Sequence, residues 1–277
     1  MIESFLMRKS IISRGSAIFT TPGTYDFVVP AGVTLLCGVG IGAGGGGWQN
    51  TIGGTSTWGS SGGGGGLGWK NAIPVTPGEH LIVVVGALGI TGVGSAIGTN
   101  GGDTYLARGS TKLFAGYGGL CGGDTGSNTA YGKGGGFLGD GGGNGGNGVN
   151  FDYAAAGGGG AGGYSGNGGN GTDISAPAAA PAGGGGSGGR GGTNYTDNGN
   201  AGRGGGTGLF GQASSGLAQA TRWGNGLPGS QITGGGEFGA GSSSSRIVTP
   251  NTPGLAGGLR MIWGKNRAYP TIDCGAD

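Results

Sequence analysis

Apolar residues in this chain gather in short β-prone runs toward its two ends and thin out between them. Ala17 to Thr20, Thr24 to Val29 and Val33 to Ile41 read as strands, broken by the turn signals Pro22-Gly23 and Pro30-Ala31-Gly32. Two successive hairpins are expected there. A second apolar block, Leu81 to Val85, follows the turn-like Thr76-Pro77-Gly78. Asp103 to Ala107 and Lys112 to Ala115 predict another hairpin around Gly109-Ser110, and Leu259 to Trp263 supplies the last strand. Together these segments give roughly seven short antiparallel strands, enough for a small sandwich or jelly-roll-like domain. From Gly116 to Gly258, by contrast, no run of four aliphatic residues occurs.

Glycine fills that middle stretch. The chain has 84 glycines and 10 prolines in 277 residues. The glycines arrive in runs such as Gly44 to Gly47, Gly62 to Gly66, Gly134 to Gly136, Gly157 to Gly160 and Gly183 to Gly186. Fixing a residue's backbone costs about 1–2 kcal/mol, and glycine has the most freedom to lose, so ordered runs need specific partners. Collagen requires glycine at every third position with much more proline. The irregular Gly-Gly-Gly-Asn-Gly-Gly-Asn-Gly of 141 to 148 excludes it. Helix and strand interiors penalise each glycine by about 0.5–1 kcal/mol. The remaining ordered form is a threefold extended helix of polyproline II type, which has no internal hydrogen bonds and must find its partners in neighbouring chains.

The fold class that follows is mainly β: a small antiparallel, jelly-roll-like β-sandwich clamping a layer of packed polyglycine II helices. Residues 1–15 are read as a docking arm, 16–264 as one glycine-rich domain and 265–277 as a C-terminal tail. Strands are expected at about 17–41, 80–86, 102–116 and 257–264, with the glycine layer at about 42–70 and 117–256. The first and last strands lie at opposite ends of the chain, so one unit with long excursions is expected, its excursions forming the layer on one side.

Catalytic and metal chemistry is not legible. His80 is the only histidine and stands just before an apolar strand, without the partners that a triad or a zinc site requires. Matches to G-x-G-x-x-G occur throughout a chain this rich in glycine and carry no information, and Gly132-Lys133-Gly134 lacks the Ser/Thr of a phosphate loop. Gly145-Gly146-Asn147-Gly148-Val149-Asn150 offers asparagine where a calcium-binding repeat needs aspartate. Cys37, Cys121 and Cys274 are odd in number and far apart; Cys37 on a strand reads as a small core residue. With 14 basic and 12 acidic side chains, the net charge of +2 gives no nucleic-acid footprint. No enzyme activity and no cofactor are expected.

Several motifs occur in order along the chain. Thr24-Tyr25-Asp26-Phe27-Val28-Val29-Pro30-Ala31-Gly32-Val33 precedes Gly38 to Gly47. Val75-Thr76-Pro77-Gly78-Glu79 leads into Val83-Val84-Val85-Gly86, and Gly101-Gly102-Asp103-Thr104 follows. Gly257-Gly258-Leu259-Arg260-Met261-Ile262-Trp263-Gly264 and Arg267-Ala268-Tyr269-Pro270 close the series. From about residue 17 to 270 this resembles the glycine-rich domain of bacteriophage tail-fibre and other virion proteins. The central stretch is similar in kind to the receptor-binding adhesins of T-even-type phages, in which polyglycine II helices carry variable loops. The resemblance implies a virion structural protein, assembled in the host cytoplasm, that serves host attachment as a tail-fibre or receptor-binding component. Its implied partners are other tail or fibre proteins, held through the N-terminal arm, and a host surface glycan or outer-membrane protein; homotrimers are common in such fibres. A head-surface fibre or capsid decoration protein is the alternative. An ice-binding protein is a remote one, since it wants a strict three-residue period and a flat Thr/Ala face.

Aromatic residues interrupting glycine-rich stretches are the candidate receptor-binding residues: Trp48, Trp58, Tyr131, Phe151, Tyr153, Tyr164, Tyr195, Phe210, Trp223 and Phe238, with Asp152 beside them. Aromatic anchors among Gly, Ser and Asn neighbours are what adaptable binding loops use. The competing reading packs the rings across the glycine layer or against a neighbouring chain. Asn144, Asn147, Asn150, Asp152, Asn194 and Asp197 are the candidate hydrogen-bonding groups.

Overall fold

The structure is a computed structural model that describes residues 14–52, 55–94, 96–123, 130–152, 156–172, 202–212, 237–243, 253–275 and 277. It is mainly β, with no helix among the described residues. One five-stranded sheet runs in the order β1 (Gly15–Phe19), β14 (Gly258–Trp263), β3 (Leu35–Ile41), β6 (Leu67–Pro74) and β12 (Gly141–Gly143). A second runs β11 (Phe137–Leu138), β10 (Thr111–Gly116), β9 (Thr104–Arg108), β7 (His80–Val85) and β2 (Gly23–Val28). All pairings in these two sheets are antiparallel. A smaller sheet holds β13 (Asn150–Asp152), β5 (Thr55–Ser60), β4 (Trp48–Ile52) and β8 (Gly92–Val93), the last pair parallel.

The two five-stranded sheets form a sandwich. Their shared core takes Leu36, Ile73, Leu259 and Met261 from one sheet and Phe27, Leu81, Val83, Leu106 and Phe114 from the other. Burying side chains of this kind contributes about 1.5–3 kcal/mol each. Phe114 is fully buried, and it fits because β3 carries Gly38, where a Cβ would collide with the Phe114 ring. The glycine of β3 and the ring of β10 are one packing unit across the sandwich.

The expected hairpin at 103–115 forms as β9 and β10, with Gly109 at φ +58° in the turn between them. The two hairpins expected within 17–41 do not form. β1 pairs with β14, β2 with β7, and β3 with β14 and β6. Pro22-Gly23 and Pro30-Ala31-Gly32 end strands without choosing their partners, which come from far along the chain. Strands also enter segments expected in the glycine layer: β4, β5 and β6 within 48–74, and β11, β12 and β13 between 137 and 152.

The C-terminal segment, read as a tail, is packed onto the sandwich instead. Arg260 on β14 is fully buried; its guanidinium lies 4.4 Å above the Phe210 ring and donates to the carbonyls of Cys274 and Gly275, the latter at 2.6 Å. Arg267 donates to the carbonyls of Asp273 (2.9 Å) and Gly15 (2.8 Å) and pairs with Asp277 at 2.7 Å. Arg14 pairs with Asp273 from the other end of the described chain. Tyr269 and Cys274 are buried in a second core cluster with Val39, Leu67, Tyr164 and Leu209.

Acid should loosen this arrangement. The hydrogen bond from Arg108, seconded by the Thr76 N–H, holds the Glu79 carboxyl below the ordinary range. At Asp140 burial pushes the carboxyl up, but bonds from Asn71 N–H and Lys70 outweigh it; at Asp277 burial is likewise outweighed by Ser16, Arg267 and Arg260. Each group therefore releases its proton more readily folded than unfolded. Its contribution is complete above the ordinary carboxylate range and fades as pH falls through the lower folded value. We expect the urea midpoint to hold from pH 7 to about pH 5 and then to fall, and the Glu79→Gln, Asp140→Asn, Asp277→Asn triple variant to flatten that fall.

Candidate functional site

Against the sandwich lies a layer in which glycine runs are cross-linked by backbone hydrogen bonds, and the direction of those bonds repeats every three residues. In the run Gly62 to Gly66, the N–H groups of Gly62 and Gly65 donate to Ser242 and Gly239, those of Gly63 and Gly66 to Leu120 and Tyr117, and that of Gly64 to Gly146. Each step of three along the donor run moves three residues along the acceptor run. The segment from Gly42 does the same: Gly42 and Gly45 donate to Gly66 and Gly63, Ala43 and Gly46 to Gly102 and Thr99, and Gly44 to Leu255. Gly157, Gly160 and Gly163 donate to Thr172, Gly169 and Gly166; Gly158 and Ala161 to Gly202 and Gly205; Gly159 and Gly162 to Gly62 and Gly65. These bonds measure 2.7–3.1 Å, so they satisfy backbone groups that burial would otherwise leave unpaired.

Glycine is required here by proximity. A Cβ on Gly44, Gly64, Gly65 or Gly145 would overlap the carbonyl of Ala240, Gly160, Gly42 or Gly64 respectively. Only a hydrogen atom fits between backbones this close.

On one side of the layer the run 166–171 lies against 143–149, its Gly168 and Gly171 N–H groups donating to the Asn144 and Asn147 carbonyls, and asparagine side-chain oxygens stand in for backbone carbonyls as acceptors in return. In the segment 143–149, Gly145 and Gly148 donate to Gly135 and Gly132, and Gly146 donates to Gly160. The third direction is filled differently. Asn144 N–H donates to Asn167 Oδ1 at 2.9 Å, Asn147 N–H to Asn170 Oδ1 at 2.8 Å, and Gly134 N–H to Asn147 Oδ1 at 3.0 Å. Asn144, Asn147, Asn167 and Asn170, with Gly134, Gly136, Gly145 and Gly168, line an open polar groove of about 470 Å³. A backbone N–H can only donate, so it fixes the side-chain oxygen of Asn147, Asn167 and Asn170 toward the lattice and turns each amide nitrogen away from it.

Most aromatic candidates that can be placed are packed. Trp48 is 4% exposed, with Nε1 donating to the Gly94 carbonyl at 2.9 Å. Tyr164 is 1% exposed and stacks on Tyr269 at 5.8 Å; its hydroxyl donates to Gly208 and accepts from Gly211 N–H. Burial pushes the Tyr164 phenol up. Phe238 is buried and Phe210 half-buried under Arg260. Trp48, Tyr164 and Phe238 are thus packing residues rather than displayed recognition residues, because their rings are buried, while Phe210 is covered on one face by Arg260 and keeps part of its surface accessible. Tyr131 is exposed. Trp58, Phe151 and Asp152 lie on paired strands, with Asp152 opposite Trp58, but their side chains fall outside the described residues. Tyr153, Tyr195, Trp223, Asn194 and Asp197 lie outside the described residues altogether. Asn150 is half-buried with its Oδ1 unpartnered.

Asn167 and Asn170 were not singled out from the sequence. Their signal is the spacing of three shared with Asn144 and Asn147, a local period inside an otherwise irregular glycine pattern. His80 lies 2.7 Å from Asp26 Oδ2, both exposed. Burial pushes the thiols of Cys37, Cys121 and Cys274 up, away from the reactive thiolate form. Among the described residues no cluster of His, Cys, Asp and Glu is arranged to hold a metal. No protein-family profile matches this chain, and no curated protein is found to be significantly similar to it.

Proposed function

We propose that this chain is a bacteriophage virion protein, a tail-fibre or receptor-binding component that holds host-recognition groups on a scaffold of polyglycine II helices. The three-residue repeat in hydrogen-bond direction is the observation that carries the reading. A threefold helix aims successive N–H groups at successive neighbours about 120° apart, and so returns to the same neighbour every third residue. Such a lattice serves recognition through rigidity, since groups held in place before contact lose less entropy on binding. The sandwich acts as the clamp that glycine runs cannot provide, because they have no side chains with which to build a core. Loops and grooves at the free faces of the lattice are then the recognition elements.

The test locates the chain and its action. The full-length protein, carrying a small tag, is expected at the distal tail fibres of the particle that encodes it, and an excess of purified protein is expected to slow adsorption of that particle to its host. A tag signal confined to the head, or unchanged adsorption, would overturn the assignment.

A further inference from the structure

We propose that the asparagine groove is a binding subsite for neutral, hydroxyl-rich oligosaccharide, contacted through the amide nitrogens of Asn147, Asn167 and Asn170. The inference deepens the recognition function proposed above and rests on it for its biological setting. Four asparagines converge on one groove from two segments, with Asn144 and Asn147 three residues apart on one and Asn167 and Asn170 three apart on the other. Backbone N–H groups hold three of their side-chain oxygens at 2.8–3.0 Å. That contact fixes which end of each amide faces outward: every such NH₂ presents two donors that find no protein acceptor among the described residues.

The lining is therefore rich in donors, uncharged and pre-ordered. No basic side chain lines the groove, so nothing in it favours a phosphate or a carboxylate over a neutral acceptor. Sugar hydroxyl and ring oxygens are neutral acceptors carried at repeated intervals, and a hydroxyl can donate in return to the remaining lone pairs of the side-chain oxygens. Amides already locked by the lattice lose little further freedom when the ligand arrives.

Asparagine also has a structural role here, and one substitution separates the two. Asn→Asp keeps an oxygen to accept the backbone N–H and removes the outward NH₂. The Asn167→Asp, Asn170→Asp double variant should keep the melting temperature of the parent. In ¹⁵N spectra of the full chain titrated with three neutral probes, maltohexaose, chitotetraose and mannohexaose, the side-chain NH₂ signals of Asn167 and Asn170 are expected to shift with at least one sugar. Affinity for that sugar should fall at least tenfold in the double variant. Unmoved amide signals with all three sugars, or equal affinity in the double variant, would overturn the subsite. If the folded double variant blocks host adsorption as well as the parent while the sugar test fails, the subsite is wrong and the recognition function stands. If sugars bind but the parent never affects adsorption, the subsite stands and the recognition function is wrong.

Discussion

Gly64→Ala should cost about 3 kcal/mol of folding stability, the upper end of what an inserted methyl group costs in a close-packed interior. Gly64 donates to Gly146 and accepts from Gly135, and its Cβ would overlap the Gly160 carbonyl, which belongs to rigid backbone and has no rotamer by which to escape. The effect is steric rather than a matter of glycine as such, and two adjacent glycines separate the causes. A Cβ on Gly135 would overlap the Tyr117 carbonyl, whereas one on Gly136 would meet Tyr117 Cδ2 at 3.7 Å and Asn144 Oδ1 at 3.8 Å, both ordinary contacts. Gly135→Ala should therefore resemble Gly64→Ala, while Gly136→Ala should be neutral or slightly stabilising, by at most about 0.5 kcal/mol, through restriction of the unfolded chain. Urea unfolding of the three variants reads this out directly. Equal losses at Gly135 and Gly136 would mean that the runs are not packed backbone to backbone.

Arg260→Ala should cost about 3 kcal/mol and release the C-terminal segment. The side chain is fully buried, and removing it leaves the Cys274 and Gly275 carbonyls without its donors and opens a void against the Phe210 ring. Arg14, which also ties down this segment through Asp273, sits at the surface with its side chain 49% exposed, so Arg14→Ala should cost no more than about 0.5 kcal/mol. Limited proteolysis should cut Arg260→Ala protein within residues 265–277 under conditions that leave the parent and Arg14→Ala intact. Retained protection in Arg260→Ala would show that the second cluster, with Tyr269 and Cys274, holds the segment without the guanidinium.

How far the sequence could be read depended on the distance between interacting parts. The β9–β10 hairpin was legible because its turn and both strands are contiguous, with Gly109 supplying the positive φ the turn needs. That the two end strands belong to one unit was also legible, but the pairing of β1 with β14 was not, since the local turn at Pro22-Gly23 pointed to a hairpin instead. The partners of β2 and β3 were not, because turn residues mark where a strand stops, while the choice of neighbour is made by the shared core of Leu36, Ile73, Leu81 and Phe114. β4 and β5 escaped notice for want of an aliphatic run in Trp48–Ile52 and Thr55–Ser60. At the candidate site, Asn144 and Asn147 could be named from composition, but their partnership with Asn167 and Asn170 is a contact across runs. The aromatics misled because a ring amid glycines looks unsupported in sequence, whereas Tyr164 finds Tyr269, Leu209 and Phe238 in the same cluster.

Hydrogen bonds between separate glycine runs, repeating every third residue, should hold the layer as firmly as ladder bonds hold the sandwich. Residue-resolved hydrogen–deuterium exchange reads this out. The amides of Gly42, Gly45, Gly62 to Gly66, Gly146, Gly159 and Gly162 are expected to exchange as slowly as those of Val83 and Leu106 in the sandwich core. Exchange of these glycine amides at the rate of an unstructured chain, with Val83 and Leu106 still protected, would contradict it.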